Sequence, residues 1–342
     1  MRPRFEGTLG PDAGACTAFG ACHAQTETFG GTPKCFGRER PVLVLTGDRT
    51  GSCTIVITTV PRSGGIMIRL LVVICAIFTG FSAFGQDRRA SHCIVLAQSI
   101  PEARFVDSAS FGAPLPDEYS VRLNYVQHAT FLLETHGGLS AATDYTGFLG
   151  TPDFVPDVVT MNNAHSSHWT AIPDDRIQSI LRGWGKPGTA ADHSVNLGEM
   201  YIRNVTTDIR NRFDAGRVED GNSIFIFEVA GLCIGHLGHL HHEPSDSTYA
   251  AIGRLDVVMA PVDGGMTVPR PTLVKMLKRM RSSVVIPMHW FGPGNLQLFL
   301  DEMSDEFLID RTGRSFIEVS LRSLPSRPTI VVLEPRYLED PF

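Results

Sequence analysis

The sequence predicts an α/β fold in which two packed β-sheets are covered by helices. Strand-like runs dominate residues 121–161, and strands alternate with helical patterns from residue 255 onward. Several apolar runs also end in loops that carry polar side chains, as sheets do where their strand ends form a site. The 342 residues are 43% hydrophobic and 19% charged, which is enough for a sizeable core.

The first strands are predicted at residues 121–126, 131–135 and 139–144. Residues 121–126 alternate in polarity and glycines follow the second run, so we expect an antiparallel meander here. Further strands are predicted at 156–161, 198–205, 223–230, 255–262, 283–287, 316–319 and 329–333, and helices at 174–182, 271–280 and 295–301.

Residues 67–85 resemble a secretory signal. One Arg precedes a short apolar core, and Ala83-Phe-Gly85 places small residues at alternate positions. The apolar core is shorter than the roughly 20 residues that a membrane span needs. The sequence therefore predicts a periplasmic or secreted protein, or a membrane-anchored one if this segment is not cleaved.

A signal belongs at the N-terminus, so the preceding 66 residues need an explanation. The favoured one is that translation starts at Met67 and residues 1–66 are a wrongly included upstream reading. The alternative is an authentic extension followed by an uncleaved anchor. Residues 1–66 have too few apolar stretches to bury a core. The predicted domains are 1–66 as an unstructured or spurious extension, 67–85 as signal peptide or membrane anchor, and 86–342 as a single domain.

Two cysteines, Cys93 and Cys233, lie in the mature region. An oxidising compartment would permit a bond between them. Because Cys233 lies in an apolar strand, a buried free thiol is the expectation instead.

The charge balance limits the classes of partner. The formal net charge is −6 and the chain has no long basic run, so neither a nucleic acid nor an anionic membrane is indicated. Membrane contact is expected only through residues 67–85, and the sequence leaves the oligomeric state open.

Three groups of histidines each follow an apolar run. They are Asn163-Ala-His165-Ser-Ser-His168, His236-Leu-Gly-His239-Leu-His-His242 and Pro287-Met-His289. Imidazoles at neighbouring strand ends can converge on one metal ion. The spacing therefore predicts a metal site at one rim of the fold.

The order of motifs resembles the metallo-β-lactamase superfamily, in particular its lactonase-like and N-acylphosphatidylethanolamine phospholipase D-like hydrolases. Members open with Gly-His-Ala-Thr, here Gln127-His-Ala-Thr130, and a later strand ends in Asp-Tyr, here Asp144-Tyr145. Their metal loop His-x-His-x-Asp-His aligns with residues 163–168, His-Leu-Gly-Asp-Leu-Gly-His with 236–242, and Pro-Met-His with 287–289. The resemblance covers about residues 120–335 and implies a four-layer αββα sandwich of two mixed sheets flanked by helices.

The chain departs from this family at three ligand positions. Asn163 stands in place of a His, Ser167 in place of an Asp, and His239 in place of a carboxylate that bridges two metals. A neutral imidazole offers one lone pair and cannot bridge in that way. A further family His has no clear match, and Asp208 is the local candidate. One metal is therefore expected rather than two.

The resemblance and the residue types together give a predicted site. The metal ligands are His165, His168, His239 and His289, with His236 as a reserve that is equally compatible with a core role. Imidazole ligands suit zinc, and also iron or nickel. The carboxylates assigned to orient ligands or accept a proton are Asp208 and Asp144. The residues expected beside the site are His128, Asn163, Ser167 and His242, whereas Asp263-Gly-Gly265 is interpreted as a turn.

The function that the resemblance implies is metal-dependent hydrolysis. A metal-activated water would attack an ester, lactone, amide or phosphodiester bond of a small-molecule substrate. The alternative is a degenerate member that binds a metal or ligand without turnover, which the three substituted ligand positions favour. A redox two-iron centre is disfavoured because it needs the carboxylates that are missing.

Overall fold

The computed structural model describes residues 42–47, 53–58, 91–95, 111–186, 189–211 and 216–339. The chain divides into two units, Met1–Gly85 and Gln86–Phe342. In the first, β1 (Val42–Gly47) pairs antiparallel with β2 (Cys53–Thr58), so two strands occupy part of the segment expected to be unstructured. The signal-like segment 67–85 lies outside the described residues, and among those described no helix is long and apolar enough to cross a membrane.

The second unit contains two mixed sheets. The six-stranded sheet has the order β15-β3-β4-β5-β6-β7, and the eight-stranded sheet has the order β14-β16-β13-β12-β11-β10-β9-β8. Their strands are β3 (Val121–Gln127), β4 (Thr130–Thr135), β5 (Ser140–Ala142), β6 (Val158–Met161), β7 (Ser179–Arg182), β8 (Ser194–Asn196), β9 (Met200–Arg210), β10 (Arg217–Val229), β11 (Leu232–His236), β12 (Val257–Pro261), β13 (Val284–Met288), β14 (Leu308–Arg311), β15 (Phe316–Val319) and β16 (Thr329–Val332).

Pairing within each sheet changes from antiparallel to parallel. β3, β4 and β5 form the predicted antiparallel meander, and β6 and β7 continue from it in parallel. In the larger sheet, β8 to β11 are antiparallel neighbours, whereas β11, β12 and β13 run parallel. The ends of β6, β11 and β13 carry the three predicted histidine groups.

The main core lies between the two sheets. Alternate residues of β10 show how the layers are filled: Phe225 and Phe227 point into the core between the sheets, and Ile224 and Ile226 point toward the helices. The helices are α1 (His92–Val95), α2 (Asp246–Ile252), α3 (Arg270–Met280) and α4 (Pro293–Met303). Residues of α2, α3 and α4 cover the outer face of the eight-stranded sheet. The predicted α/β fold of two mixed sheets is confirmed.

Loops rather than a helix cover the outer face of the six-stranded sheet within the described residues. Trp169 and Trp184 pack there edge to face, with ring centroids 5.6 Å apart. The helix predicted at 174–182 is wrong. Asp174 instead accepts hydrogen bonds from the backbone N–H (2.9 Å) and the guanidinium of Arg176, which closes a turn before β7 begins.

Cys93 and Cys233 form a disulfide, which corrects the expectation of a buried free thiol. Polar contacts dock the segment that carries Cys93. The carboxylate of Glu228 on β10 accepts hydrogen bonds from the Ser91 hydroxyl and from the His92 backbone N–H at 3.2 Å. Arg203 donates to the same buried carboxylate at 3.0 Å, so a paired charge holds α1 against β11.

Candidate metal centre

The predicted strand ends meet at one rim of the unit formed by residues 86–342. His128 occupies the turn between β3 and β4, Asp144 follows β5, and His289 follows β13. All three have left-handed backbone, with φ of 38°, 42° and 57°. This conformation is costly for a residue with a side chain, of order 1–3 kcal/mol each, and such positions cluster at functional sites.

Three imidazole nitrogens converge at the rim. His168 Nε2 lies 3.2 Å from His289 Nε2 and 2.9 Å from His239 Nδ1. Zinc–nitrogen bonds of about 2.0–2.1 Å in a tetrahedron would separate the ligand atoms by roughly 3.3–3.4 Å. One nitrogen of His128 joins His168 and His289 in a group whose ligand atoms all lie within 4.8 Å of one another. These residues therefore fit a shared cation.

Asp144 fixes the orientation of His168. Its Oδ2 lies 2.5 Å from Nδ1 of His168, and its Oδ1 accepts the Asn162 backbone N–H at 2.8 Å. Burial raises the pKa of Asp144 to about 7, although His236 and the Asn162 N–H oppose that shift. The carboxylate is completely buried and does not line the pocket. Of the two roles predicted for Asp144, orienting a ligand and accepting a proton, its contacts suit the first.

Asp263 lies beside Nδ1 of His289 in a similar way, as an ion-pair contact. Its Oδ2 lies 2.8 Å from Nδ1 of His289, and it accepts the backbone N–H groups of Gly265, Met266 and Thr267. Burial disfavours the charged carboxylate, but the contacts with His289, the Thr267 hydroxyl and these N–H groups outweigh burial and hold the pKa of Asp263 below its usual range. The Asp263-Gly-Gly265 segment, which the sequence analysis interpreted only as a turn, therefore also helps to orient His289.

The two carboxylates determine where the imidazole protons lie. A carboxylate beside Nδ1 keeps the proton there, which leaves Nε2 of each ring as a lone pair. His168 and His289 thus direct lone pairs toward each other across 3.2 Å. That arrangement is repulsive without a cation between the rings, and it is the usual way in which proteins prepare histidine ligands.

His165 lies at the edge of this cluster. Its ring stacks on that of His239 with centroids 5.2 Å apart, and its Nδ1 lies 2.9 Å from the Ser167 hydroxyl. The Asn163 amide donates to the Gly221 carbonyl at 2.7 Å, so it contributes to backbone structure. The structure brings His165, Asn163 and Ser167 to the pocket wall, but not into the group of closest nitrogens.

His236 does not have a ligand nitrogen to offer, which corrects its assignment to the reserve metal set. Its Nε2 donates to the Ala129 carbonyl at 2.7 Å, while Nδ1 accepts from the Asn162 amide at 3.0 Å. The ring is completely buried. Gly238 permits this contact, because a Cβ built there would lie 2.2 Å from the Asn162 amide nitrogen.

Asp208 also lies apart from the convergent histidines, which corrects its assignment to catalysis. It accepts the Asp220 backbone N–H at 3.3 Å and lies 3.5 Å from the Arg217 guanidinium. Neither Asp208 nor the neighbouring His242 lines the pocket at the cluster. Burial lowers the pKa of His242, whose environment also includes Arg217 and Asp208.

A pocket of about 730 Å³ opens onto the cluster. Arg210 links two parts of its wall: the backbone N–H donates to His241 Nδ1 at 2.6 Å, and the guanidinium donates to the carbonyls of Gly265, Met266 and Thr267. Met266 and Phe291 are exposed apolar side chains at the pocket. An apolar portion of a ligand has contacts available beside the histidines.

Burial favours the neutral form of four histidines of the site, His128, His168, His239 and His241. Burial lowers the pKa of His128 to about 3 and that of His241 to about 4. Burial also lowers the pKa of His168 and of His239. Only the neutral imidazole can bind a metal, so the environment favours the form that ligation requires.

Sequence reasoning missed Asp263 and Arg210 and gave His128 only an adjacent place. A signal for Asp263 was present, because it comes two residues after the end of β12, much as His289 comes one residue after the end of β13. For Arg210 no comparable signal existed. Its contacts depend on how the end of β9 approaches the loop at 265–267, and the spacing of residues does not reveal that approach.

Residues 122–289 match the family described as "Beta-lactamase superfamily domain". A Thermotoga maritima protein of the metallo-β-lactamase superfamily, assigned as a candidate zinc-dependent hydrolase, is 24% identical, with 63% of this chain and all of that chain covered and a TM-score of 0.46. The metallo hydrolase Igni18 of Ignicoccus hospitalis is 19% identical over 54% of this chain and 91% of its own, with a TM-score of 0.41. No curated protein matches the chain.

Proposed function

Because the chain belongs to the β-lactamase superfamily, we propose that it is an exported metal-dependent hydrolase with one metal ion, zinc being the first candidate. The observation that carries the proposal is the pair of Nε2 atoms of His168 and His289, 3.2 Å apart and each opposed by a carboxylate at Nδ1. The proposed substrates are small molecules with an ester, lactone, amide or phosphodiester bond. The narrower lactonase-like or phospholipase D-like branch stays a prediction.

The residues of the chain have distinct roles in this proposal. His168, His239 and His289 would hold the metal, with His128 completing the group, and Asp144 and Asp263 would keep the rings in place. When bound, the metal would supply an activated water and polarise the scissile bond. The pocket beside the cluster would bind the substrate and exclude bulk water.

The contacts of Asn163 and Ser167, which do not point to a second metal site, support a single metal ion. The Asn163 amide binds a backbone carbonyl, and the Ser167 hydroxyl contacts His165 rather than a ligand position. The resemblance expected a His and an Asp at these two positions. Asn163 and Ser167 therefore form hydrogen bonds at the pocket wall and do not provide ligands for a second metal ion.

Metal analysis tests the proposal directly. We expect about one equivalent of zinc in the purified protein and in His136→Ala, a control in the exposed turn after β4. His168→Ala and His289→Ala should lose the metal. Absence of metal from the wild-type protein after zinc reconstitution would refute the hydrolase proposal.

A hydrolysis panel then separates an enzyme from a binding protein. Chromogenic esters, lactones, amides and phosphodiesters are incubated with the zinc-loaded protein and with His289→Ala. Turnover that is lost in the variant supports the proposal. Stoichiometric zinc without turnover of any class would favour the degenerate, non-catalytic alternative.

Export is proposed from two observations. Residues 67–85 have the pattern of a secretory signal, and the Cys93–Cys233 disulfide suits an oxidising compartment. The periplasm or the exterior is therefore the proposed location. Cell fractionation with N-terminal sequencing of the mature protein should find a start near residue 86. A cytosolic protein that begins before residue 67 would contradict the proposal.

A further inference from the structure

His241 presents an unused nitrogen at the wall of the pocket. The residue is 8% exposed, and its buried Nε2 has no hydrogen-bond partner among the described residues. A buried polar atom without a partner costs about 1–3 kcal/mol, so such an atom on a residue that lines a pocket points to a ligand that would satisfy it.

The contact of the other ring nitrogen, Nδ1, shows whether Nε2 is a hydrogen-bond donor or an acceptor. His241 Nδ1 lies 2.6 Å from the backbone nitrogen of Arg210. A backbone N–H can only donate, so Nδ1 must be the acceptor and the proton of the neutral ring must be on Nε2. Nε2 is therefore a hydrogen-bond donor. It has no lone pair for a metal ion.

The position of the donor is next to the metal cluster. The ring of His241 lies 4.7 Å from that of His239 between centroids, and both residues line the same pocket. In the motif alignment His241 stands where the family sequence His-Leu-Gly-Asp-Leu-Gly-His has its second glycine. The donor is thus a feature of this chain and not part of the motif.

We propose that His241 is a substrate-positioning residue whose Nε2–H donates to the oxygen of the scissile group, where negative charge develops during hydrolysis. The identity of the accepting group rests on the proposed function. The assignment of Nε2–H as a donor rests only on the contact between His241 Nδ1 and the Arg210 backbone N–H. A fixed donor aimed at a developing charge stabilises it without reorganisation during the reaction.

Nitrogen-15 NMR of selectively histidine-labelled protein tests the donor without any catalytic assay. The His241 signals, identified by their loss in His241→Asn, should show the Nε2–H tautomer in metal-free and zinc-loaded protein. The Nδ1–H tautomer would overturn the proposal. In protein loaded with cadmium-113, a scalar coupling from the metal to His241 Nε2 would overturn it as well.

Two substitutions separate the donor from the shape of the ring. In His241→Asn the side-chain oxygen can still accept a hydrogen bond near the position of Nδ1, but no donor reaches the position of Nε2. In His241→Gln the longer side chain can place an amide N–H near the position of Nε2. The probe is phenylphosphonate, whose charged oxygens mimic those formed in hydrolysis, with binding to zinc-loaded protein measured by calorimetry. We expect binding to weaken about 10- to 100-fold in His241→Asn and to stay within about 3-fold of wild type in His241→Gln.

The outcomes distinguish this proposal from the function on which it partly rests. Equal binding by wild type and His241→Asn, or an equal loss in both variants, would overturn the donor role, as would no binding of the phosphonate by wild type. The zinc content should be unchanged in both variants. If zinc and phosphonate bind as expected but no substrate is hydrolysed, the hydrolase proposal fails and the donor assignment stands.

Discussion

Oδ2 of Asp263 lies 2.8 Å from Nδ1 of His289, at the point where the loop after β12 meets the end of β13. The same carboxylate accepts three backbone N–H groups of its own loop and the Thr267 hydroxyl at 2.6 Å. The guanidinium of Arg210 donates hydrogen bonds to carbonyl groups of that loop. The orientation of one candidate ligand is therefore supported by a loop held at both its N–H and its carbonyl groups.

We predict that Asp263→Asn weakens zinc binding about 10- to 100-fold, as the loss of a residue that orients a ligand generally does. Asn has almost the same shape but lacks the negative charge that holds the proton on His289 Nδ1. Competition with a chromophoric chelator measures the dissociation constant. Asp256→Asn is the matched control, because Asp256 is equally buried and accepts the Cys233 backbone N–H far from the cluster. Similar zinc affinity in wild type and Asp263→Asn would show that the contact does not support ligation.

The stability of the metal-free protein should fall as the pH falls from about 6.5 toward 4. The folded-state pKa values of His128 and His241 are about 3 and about 4, below the unfolded value near 6.5. In that pH window the unfolded chain binds protons that the folded chain does not, so acid favours unfolding. Asp144, with its pKa raised to about 7, and Asp256, whose pKa is also raised by burial, act in the opposite direction, but they are two groups against several buried histidines.

Denaturant unfolding of zinc-stripped protein at a series of pH values checks this prediction. His128→Asn tolerates the left-handed backbone at position 128 and removes one titrating group, so its free energy of unfolding should depend less steeply on pH. Added zinc should stabilise the protein most at neutral pH, where it does not compete with protons for imidazole. A flat or inverted pH dependence between 4 and 6.5 in the stripped protein would contradict the assignment of neutral buried rings.

We predict that removing the Cys93–Cys233 disulfide lowers the free energy of unfolding by about 2–5 kcal/mol, the usual range for a native disulfide. The bond joins residues 140 positions apart, so the unfolded chain gains much freedom when the bond is lost. Urea unfolding of the Cys93→Ser/Cys233→Ser protein measures the loss. Dithiothreitol should destabilise wild type by a similar amount and leave the double variant unchanged. If reduction has no effect on wild type, the two thiols are not bonded in the protein.

The expectation that histidines at neighbouring strand ends lie close together agrees with the structure at two positions and fails where a strand boundary was misplaced. It expected His168 and His289 at one rim, where the structure has them, because the apolar runs of 156–161 and 283–287 become β6 and β13. It failed for His236 because β11 continues through that residue, so the ring lies inside the fold and not at the rim. It also could not show that Asp208 faces Arg217, since that contact depends on the pairing of β9 with β10.

The metal count should increase when the three substituted family positions are restored. We predict that Asn163→His/Ser167→Asp/His239→Asp raises the zinc content from about one to about two equivalents. The new imidazole would lie beside His165, and a carboxylate at 239 can bridge two cations as an imidazole cannot. His165 already stacks 5.2 Å from the ring of His239, so the restored residues lie within reach of both positions. Metal analysis after zinc reconstitution measures the change. Ser166→Asp is the control for added negative charge, because Ser166 is a neighbouring residue of the same pocket. A count that stays at one in the triple variant would mean that the ligand missing near Asp208, and not these three residues, sets the stoichiometry.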